Sequence, residues 1–290
     1  MTRKKIFFLS LLFLVAFTAV GAFLFFKDAP RGCGTRLLTI SNCAHIAYTP
    51  PIFQREQAVS APEEEIVAPS PASYAAILEK FRGKDVTDVA ISEKLIALTF
   101  DGGGNSDGAQ EILEILSDNG VHATFFLTGN FVEKFPDIAK LIMQNGNEIA
   151  HHTATHKNFS EISDEEAAGE MHGMEQKAGA LGISVVPFFR FPYGAPTKEK
   201  IALVNARGYI AVRWTVDSLG WQGKKEGRDP QFVAARVLGK AKPGAVALMH
   251  LGSAGDKSVL DAEALPEIIT ALKQQGYRLV PLSELFTEAL

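Results

Sequence analysis

From Ile91 onward, short apolar runs alternate with longer stretches whose apolar residues recur at helical spacing, and this alternation constrains the fold more than any other feature of the chain. The runs at 95–100, 123–127, 148–150, 187–190, 210–213, 245–249 and 278–280 read as strands. The intervals 108–119, 139–145, 164–181, 197–207, 230–240 and 262–275 read as helices. Gly120, Gly146, Gly182, Gly208 and Gly276 follow these helices, where a left-handed C-terminal residue is wanted. The repeat predicts an α/β fold, a distorted, partly closed parallel (β/α)7-type barrel, over residues 91–290.

The sequence upstream is of a different kind. Arg3, Lys4 and Lys5 precede an apolar stretch over 6–26, which Lys27 and Asp28 end. That stretch can cross a hydrocarbon core of roughly 30 Å as a helix and exceeds the usual ~7–15-residue apolar region of a cleaved leader. Residues 1–27 are therefore expected to be a signal anchor, or a signal peptide if the small residues Ala19-Val20-Gly21 are cut. The basic flank stays in the cytoplasm, and the rest is exported to the periplasmic or extracellular side, tethered to the membrane by this helix or secreted after cleavage. Residues 28–90 form an exported extension. Its two cysteines, Cys33 and Cys43, are expected to form a disulfide, because with His45 alone nearby they lack zinc-knuckle spacing. The Pro-, Ala-, Ser- and Glu-rich segment 49–73 reads as a semi-extended linker. Tyr74, Ile77, Leu78 and Phe81 then predict a helix over 74–89.

A formal net charge of −4, with basic residues scattered rather than clustered, argues against a nucleic-acid partner. The loop 102–108 joins a strand to a helix but lacks the Gly-Lys-Ser/Thr ending of a phosphate-binding loop, so nucleotide binding is not expected.

In barrels of this kind reactive groups sit at the C-terminal ends of strands. Asp101, His152, Arg190, Asp217 and His250 all fall at or just after such ends. His152 and His156 lie four residues apart, so a helical turn or a tight loop presents both to one metal ion, with Asp101 as an oxygen donor. Zinc suits two imidazoles and an oxygen with one position left for water. His151 is an alternative ligand, although its side chain is expected to point elsewhere, and His172 is read as structural.

Five segments in order, Thr99-Phe100-Asp101-Gly102-Gly103, His152-Thr153-Ala154-Thr155-His156, Arg190-Phe191-Pro192-Tyr193-Gly194, Asp217-Ser218-Leu219-Gly220-Trp221 and Leu248-Met249-His250, resemble the polysaccharide deacetylase domain of carbohydrate esterase family 4. The resemblance implies metal-assisted hydrolysis of N-acetyl or O-acetyl groups on a sugar polymer. In it Asp101 is the general base, His250 the general acid, Arg190 the partner that keeps Asp101 ionised, and Asp217 the residue that orients His250. It also implies that the Tyr193 backbone N–H stabilises the oxyanion and that Trp221 and Leu248 line the acetyl pocket.

Most members of that family carry two adjacent aspartates in the first segment, the second as a metal ligand; here that position is Gly102. Either Asp101 moves onto the metal, or Asn105 or Asp107 reaches in, or two histidines and water hold the ion. A retained metal is favoured. The expected function is deacetylation of a cell-envelope glycan, peptidoglycan first, with a catalytically impaired glycan-binding relic as the alternative. A metal-dependent amidohydrolase acting on a small substrate is disfavoured by Trp221 and the order of the segments.

Overall fold

The long apolar run before Asp101 forms β1 (Leu95–Gly102), buried at every position except Asp101, as expected of a central parallel strand covered on both faces. The computed structural model describes residues 70–253 and 255–290; the expected anchor, the Cys33/Cys43 pair and the linker up to residue 69 lie outside them. Among the described residues no helix is long and apolar enough to cross a membrane.

The other strands are β2 (Thr124–Leu127), β3 (Glu148–His151), β4 (Phe188–Phe189), β5 (Ile210–Ala211), β6 (Val216–Asp217), β7 (Ala245–His250) and β8 (Arg278–Leu279). They form one parallel sheet in the order β5-β4-β3-β2-β1-β7-β6, with β8 pairing the start of β1. The sheet curls into an incomplete barrel, and its helices are α1 (Pro71–Phe81), α2 (Ala109–Asp118), α3 (Gly129–Lys134), α4 (Pro136–Gln144), α5 (Asp164–Ala180), α6 (Lys198–Ala206), α7 (Pro230–Leu238), α8 (Leu260–Gln274) and α9 (Leu282–Thr287). Helix starts follow side-chain chemistry: Ser163 and Glu166 make a reciprocal cap on α5, and Thr128, Thr197 and Asp229 cap α3, α6 and α7. All five glycines expected to end helices have positive φ.

Period-two alternation along β1 sorts its neighbours into two compartments. Ile96, Leu98 and Phe100 face a core shared with α2, α7 and α8. Leu95 and Ala97 face a second core, which Ile77 and Phe81 of α1 and Leu282, Leu285 and Phe286 of α9 plug from below. Thr99 and Asp101 continue this inner face upward, so the apolar plug ends where the polar site begins.

The helix expected over 74–89 is shorter and displaced. It ends at Phe81, and Gly83 at φ 73° turns the chain so that Val86 bridges Val212 and Asp88 bridges Ala245. Three elements were not expected. β6 has two residues, and α3 and α9 have six each, too few for a period to register.

Candidate active site

The parallel register brings the chemistry together at one end of the sheet. β1 pairs with β7 so that Asp101 lies opposite His250 and Thr99 opposite Leu248, while the end of β2 at Leu127 lies opposite His151. The His152–His156 loop, the Arg190 turn and the Asp217–Trp221 loop leave the same end of their strands.

Arg190 is the hub. It is 0% exposed, and its guanidinium lies 3.9 Å from the Phe126 ring centroid. Nη1 donates to Asp101 Oδ1 at 2.6 Å, Nη2 donates to Thr99 Oγ1 and to the Arg213 carbonyl, both at 2.9 Å, and Nε donates to the Val212 carbonyl. Burial alone would raise the Asp101 carboxyl, but Arg190, then His152 and His250, outweigh it and hold the group below its ordinary range.

The two candidate metal ligands sit on a tight loop, not on a helical turn. Thr153 and His156 have φ near +68° and +66°, strain of the kind that concentrates at functional sites. His152 Nδ1 meets the Arg190 carbonyl at 2.8 Å and must donate there, which turns the Nε2 lone pair toward Asp101 Oδ2, 3.4 Å away. The His156 ring stands edge-on to His152 at 4.9 Å. Burial lowers both imidazoles, His152 to about 4, so both are neutral and able to bind metal at neutral pH. Among the described residues no three such side chains already converge on one point. The donor chemistry nevertheless fits a divalent ion: two imidazoles, one with its tautomer fixed, and a carboxylate whose Oδ1 is engaged by Arg190 and whose Oδ2 faces His152. His151 is turned away; Nε2 meets the Met171 carbonyl and Nδ1 accepts the Thr153 N–H, both at 3.0 Å. His172, read as structural, lies exposed on α5.

The side chain missing at Gly102 has not left an open place for another donor. A Cβ there would lie 2.7 Å from Leu127 Cδ2, 3.0 Å from Leu251 Cδ1 and 3.3 Å from Phe131 Cδ2, because residue 102 faces the apolar compartment outside the curl. Neither Asn105 nor Asp107 reaches in to replace it. Asn105 Oδ1 accepts the Ser253 N–H at 2.8 Å, and Asp107 Oδ2 accepts from Ser253 Oγ at 2.6 Å, so both tie down the loop after β7.

Around His250, Asp217 is not hydrogen-bonded to the imidazole it was expected to orient. Its Oδ1 accepts the Leu219 N–H at 2.8 Å and its Oδ2 faces Trp221 Nε1 at 3.3 Å. The carboxylate beside His250 is Asp261, from α8. Trp221 is 48% exposed with its ring 6.3 Å from His250, Tyr193 is 70% exposed with its ring 4.8 Å from His156, and Leu248 is buried beneath them on β7. Tyr193 holds φ 62°, and its backbone N–H has no hydrogen-bond acceptor among the described residues.

Sequence reasoning also missed Glu170. From the buried side of α5 it accepts the Thr155 N–H at 2.7 Å and the Thr155 hydroxyl at 2.6 Å, pinning the loop between the two histidines. A carboxylate on the helix face shared by Ala167, Met171 and Met174 was the available signal.

The polysaccharide deacetylase family profile matches residues 88–212. The chain is 33% identical over 191 residues to a peptidoglycan-N-acetylglucosamine deacetylase of Bacillus cereus, covering 66% of this chain and 68% of that protein. It is 31% identical over 200 residues to a chitooligosaccharide deacetylase of Bradyrhizobium, covering 66% and 90%. Among solved structures, a peptidoglycan N-acetylglucosamine deacetylase aligns with a TM-score of 0.66 at 30% identity, over 74% of this chain and 97% of that one. A family 4 pseudoenzyme from Bacillus anthracis also aligns with a TM-score of 0.66, at 29% identity, over 72% and 71%. With Asp101, His152, Arg190 and His250 gathered at one end of a curled parallel sheet, and with relatives of this identity and coverage, the chain belongs to the polysaccharide deacetylase family, carbohydrate esterase family 4.

Proposed function

We propose that this protein is a metal-dependent hydrolase that removes N-acetyl, or O-acetyl, groups from a cell-envelope polysaccharide, peptidoglycan first, while tethered to the membrane on the exported side. One observation carries the reading: Asp101 has Oδ1 fixed by Arg190 at 2.6 Å and Oδ2 turned to His152 Nε2 at 3.4 Å, with His250 across the β1–β7 pair. The basic flank and apolar stretch at 1–27, followed by the Pro-rich segment, motivate an exported and anchored domain that reaches wall glycan.

His152 and His156 would hold the ion beside Asp101, zinc by preference, and a bound ion would polarise the acetyl carbonyl and lower the proton affinity of the attacking water. The chain supplies the remaining steps. Asp101 takes the proton of the water, and Arg190 keeps that carboxylate ionised until it does. His250 delivers a proton to the departing sugar nitrogen, so that water and amide become acetate and amine. The Tyr193 N–H would donate to the oxyanion, and Trp221 and Leu248 would bound the acetyl pocket.

Acetate release from isolated peptidoglycan tests the reading. Release that is abolished by a chelator, restored by zinc and lost in Asp101→Asn is the expected result. Glycan binding without acetate release from the zinc-loaded chain would instead establish a binding relic, the reading that Gly102 and its apolar surroundings favour.

A further inference from the structure

His250 faces a carboxylate that comes from a helix rather than from a strand end. Asp261, in the first turn of α8, is 3% exposed; its Oδ2 accepts the His250 backbone N–H at 2.9 Å and lies 3.9 Å from His250 Nδ1. Two buried polar atoms here have no hydrogen-bond partner among the described residues, His250 Nδ1 and Asp261 Oδ1. Buried groups are seldom left so, and hydrogen bonds that serve catalysis are often long before substrate binds.

Gly220 supplies a second, independent observation. A Cβ built on it would lie 2.5 Å from Asp261 Oδ1, 2.6 Å from Cγ and 2.7 Å from Oδ2, so the Asp261 carboxylate fills the space a side chain at 220 would occupy. Gly220 directly precedes Trp221, whose ring flanks His250. A carboxylate is thus held under the imidazole, and the neighbouring loop has the one residue type that admits it. The partial positive charge at the start of a 15-residue helix also favours an anion in its first turn.

We propose that Asp261 is the positioning residue for His250. A small rotation of the imidazole brings Nδ1–H onto Asp261, directs Nε2 to the leaving group and balances the imidazolium charge. Asp217 lacks this freedom because Leu219 and Trp221 occupy its two oxygens. The inference rests on the deacetylase reading above for its catalytic consequence, but not for the His250–Asp261 relationship itself.

The test uses the full-length, zinc-loaded chain and Asp261→Asn, which keeps an oxygen for the His250 N–H while removing the charge. Expected are a kcat about 100-fold lower with KM little changed, and, by nitrogen-15 NMR of the histidines, a loss of the Nδ1-protonated tautomer of His250. The double variant Asp261→Ala/Gly220→Asp moves the carboxylate to the other side of the same space and should recover both kcat and that tautomer. Wild-type kcat and tautomer in Asp261→Asn, or a folded double variant that recovers neither, overturns the proposal. Should the wild type release no acetate, the deacetylase reading falls while the tautomer measurement still decides the role of Asp261.

Discussion

Arg190 Nη1 and Asp101 Oδ1 stand 2.6 Å apart, joining the β4 end of the sheet to its central strand within the buried interior. The guanidinium is fully buried and the carboxylate nearly so, so neither charge has solvent to fall back on. Arg190→Met leaves the buried Asp101 carboxyl without its partner and is expected to cost about 3–5 kcal/mol of stability, with a loss of activity of about 100-fold or more. Arg190 holds the Asp101 carboxyl low, so the stability this pair contributes is present above the ordinary carboxyl range and lost as pH falls through the lowered value. Urea denaturation at several pH values should therefore show the deficit of the variant shrinking in acid; a deficit independent of pH would contradict the pairing.

Glu170 offers a test of the histidine loop that leaves both histidines untouched. Glu170→Ala strips Thr155 of the acceptor for its N–H and its hydroxyl, and zinc affinity should fall about 10–100-fold as the strained loop loses its anchor. Calorimetric titration with zinc measures this. Glu170→Gln, which keeps one acceptor oxygen, should lie between the two.

Adding the carboxylate absent from the first segment is expected to harm the fold. In Gly102→Asp the new side chain starts among Leu127, Leu251 and Phe131, and a charge entering that apolar space should cost about 1–3 kcal/mol. The thermal midpoint should fall with no gain in zinc affinity. Tighter zinc binding would show that this face of the β1 end opens to the metal.

Asp261 predicts a trade between stability and function. Burial raises its carboxyl from an ordinary 3.8 to about 6, against the opposing charge of His250 and helped by Asp217. A raised folded-state value means that its contribution to stability is full below the unfolded value and is lost as pH rises through about 6. Asp261→Asn removes that loss, so at about pH 7.5 it should be more stable than the wild type by roughly 2–3 kcal/mol. The gain should vanish near pH 4, which thermal melts across that range will read. A variant equally stable with the wild type at both pH values would mean that the carboxylate carries no burial strain.

The alternation of strands and helices, the parallel class and the strand-end positions of Asp101, His152, Arg190 and His250 are legible along the chain, because burial on both faces writes a long apolar run and helix ends carry local signals such as Ser163/Glu166 and the capping glycines. The sequence could not place α3 or α9, whose six residues each make less than two helical turns, or β6, which has two residues. Nor could it say what faces what. Asp217 carried the familiar position, yet the carboxylate at His250 is Asp261, which in sequence reads as an ordinary acidic residue complementing a helix start. The compartment entered by a side chain at 102, and the pinning of Thr155 by Glu170, likewise join segments far apart in the chain. These contacts emerge with the packed fold, because side-chain direction at a strand end and burial of a polar group depend on which distant element packs there.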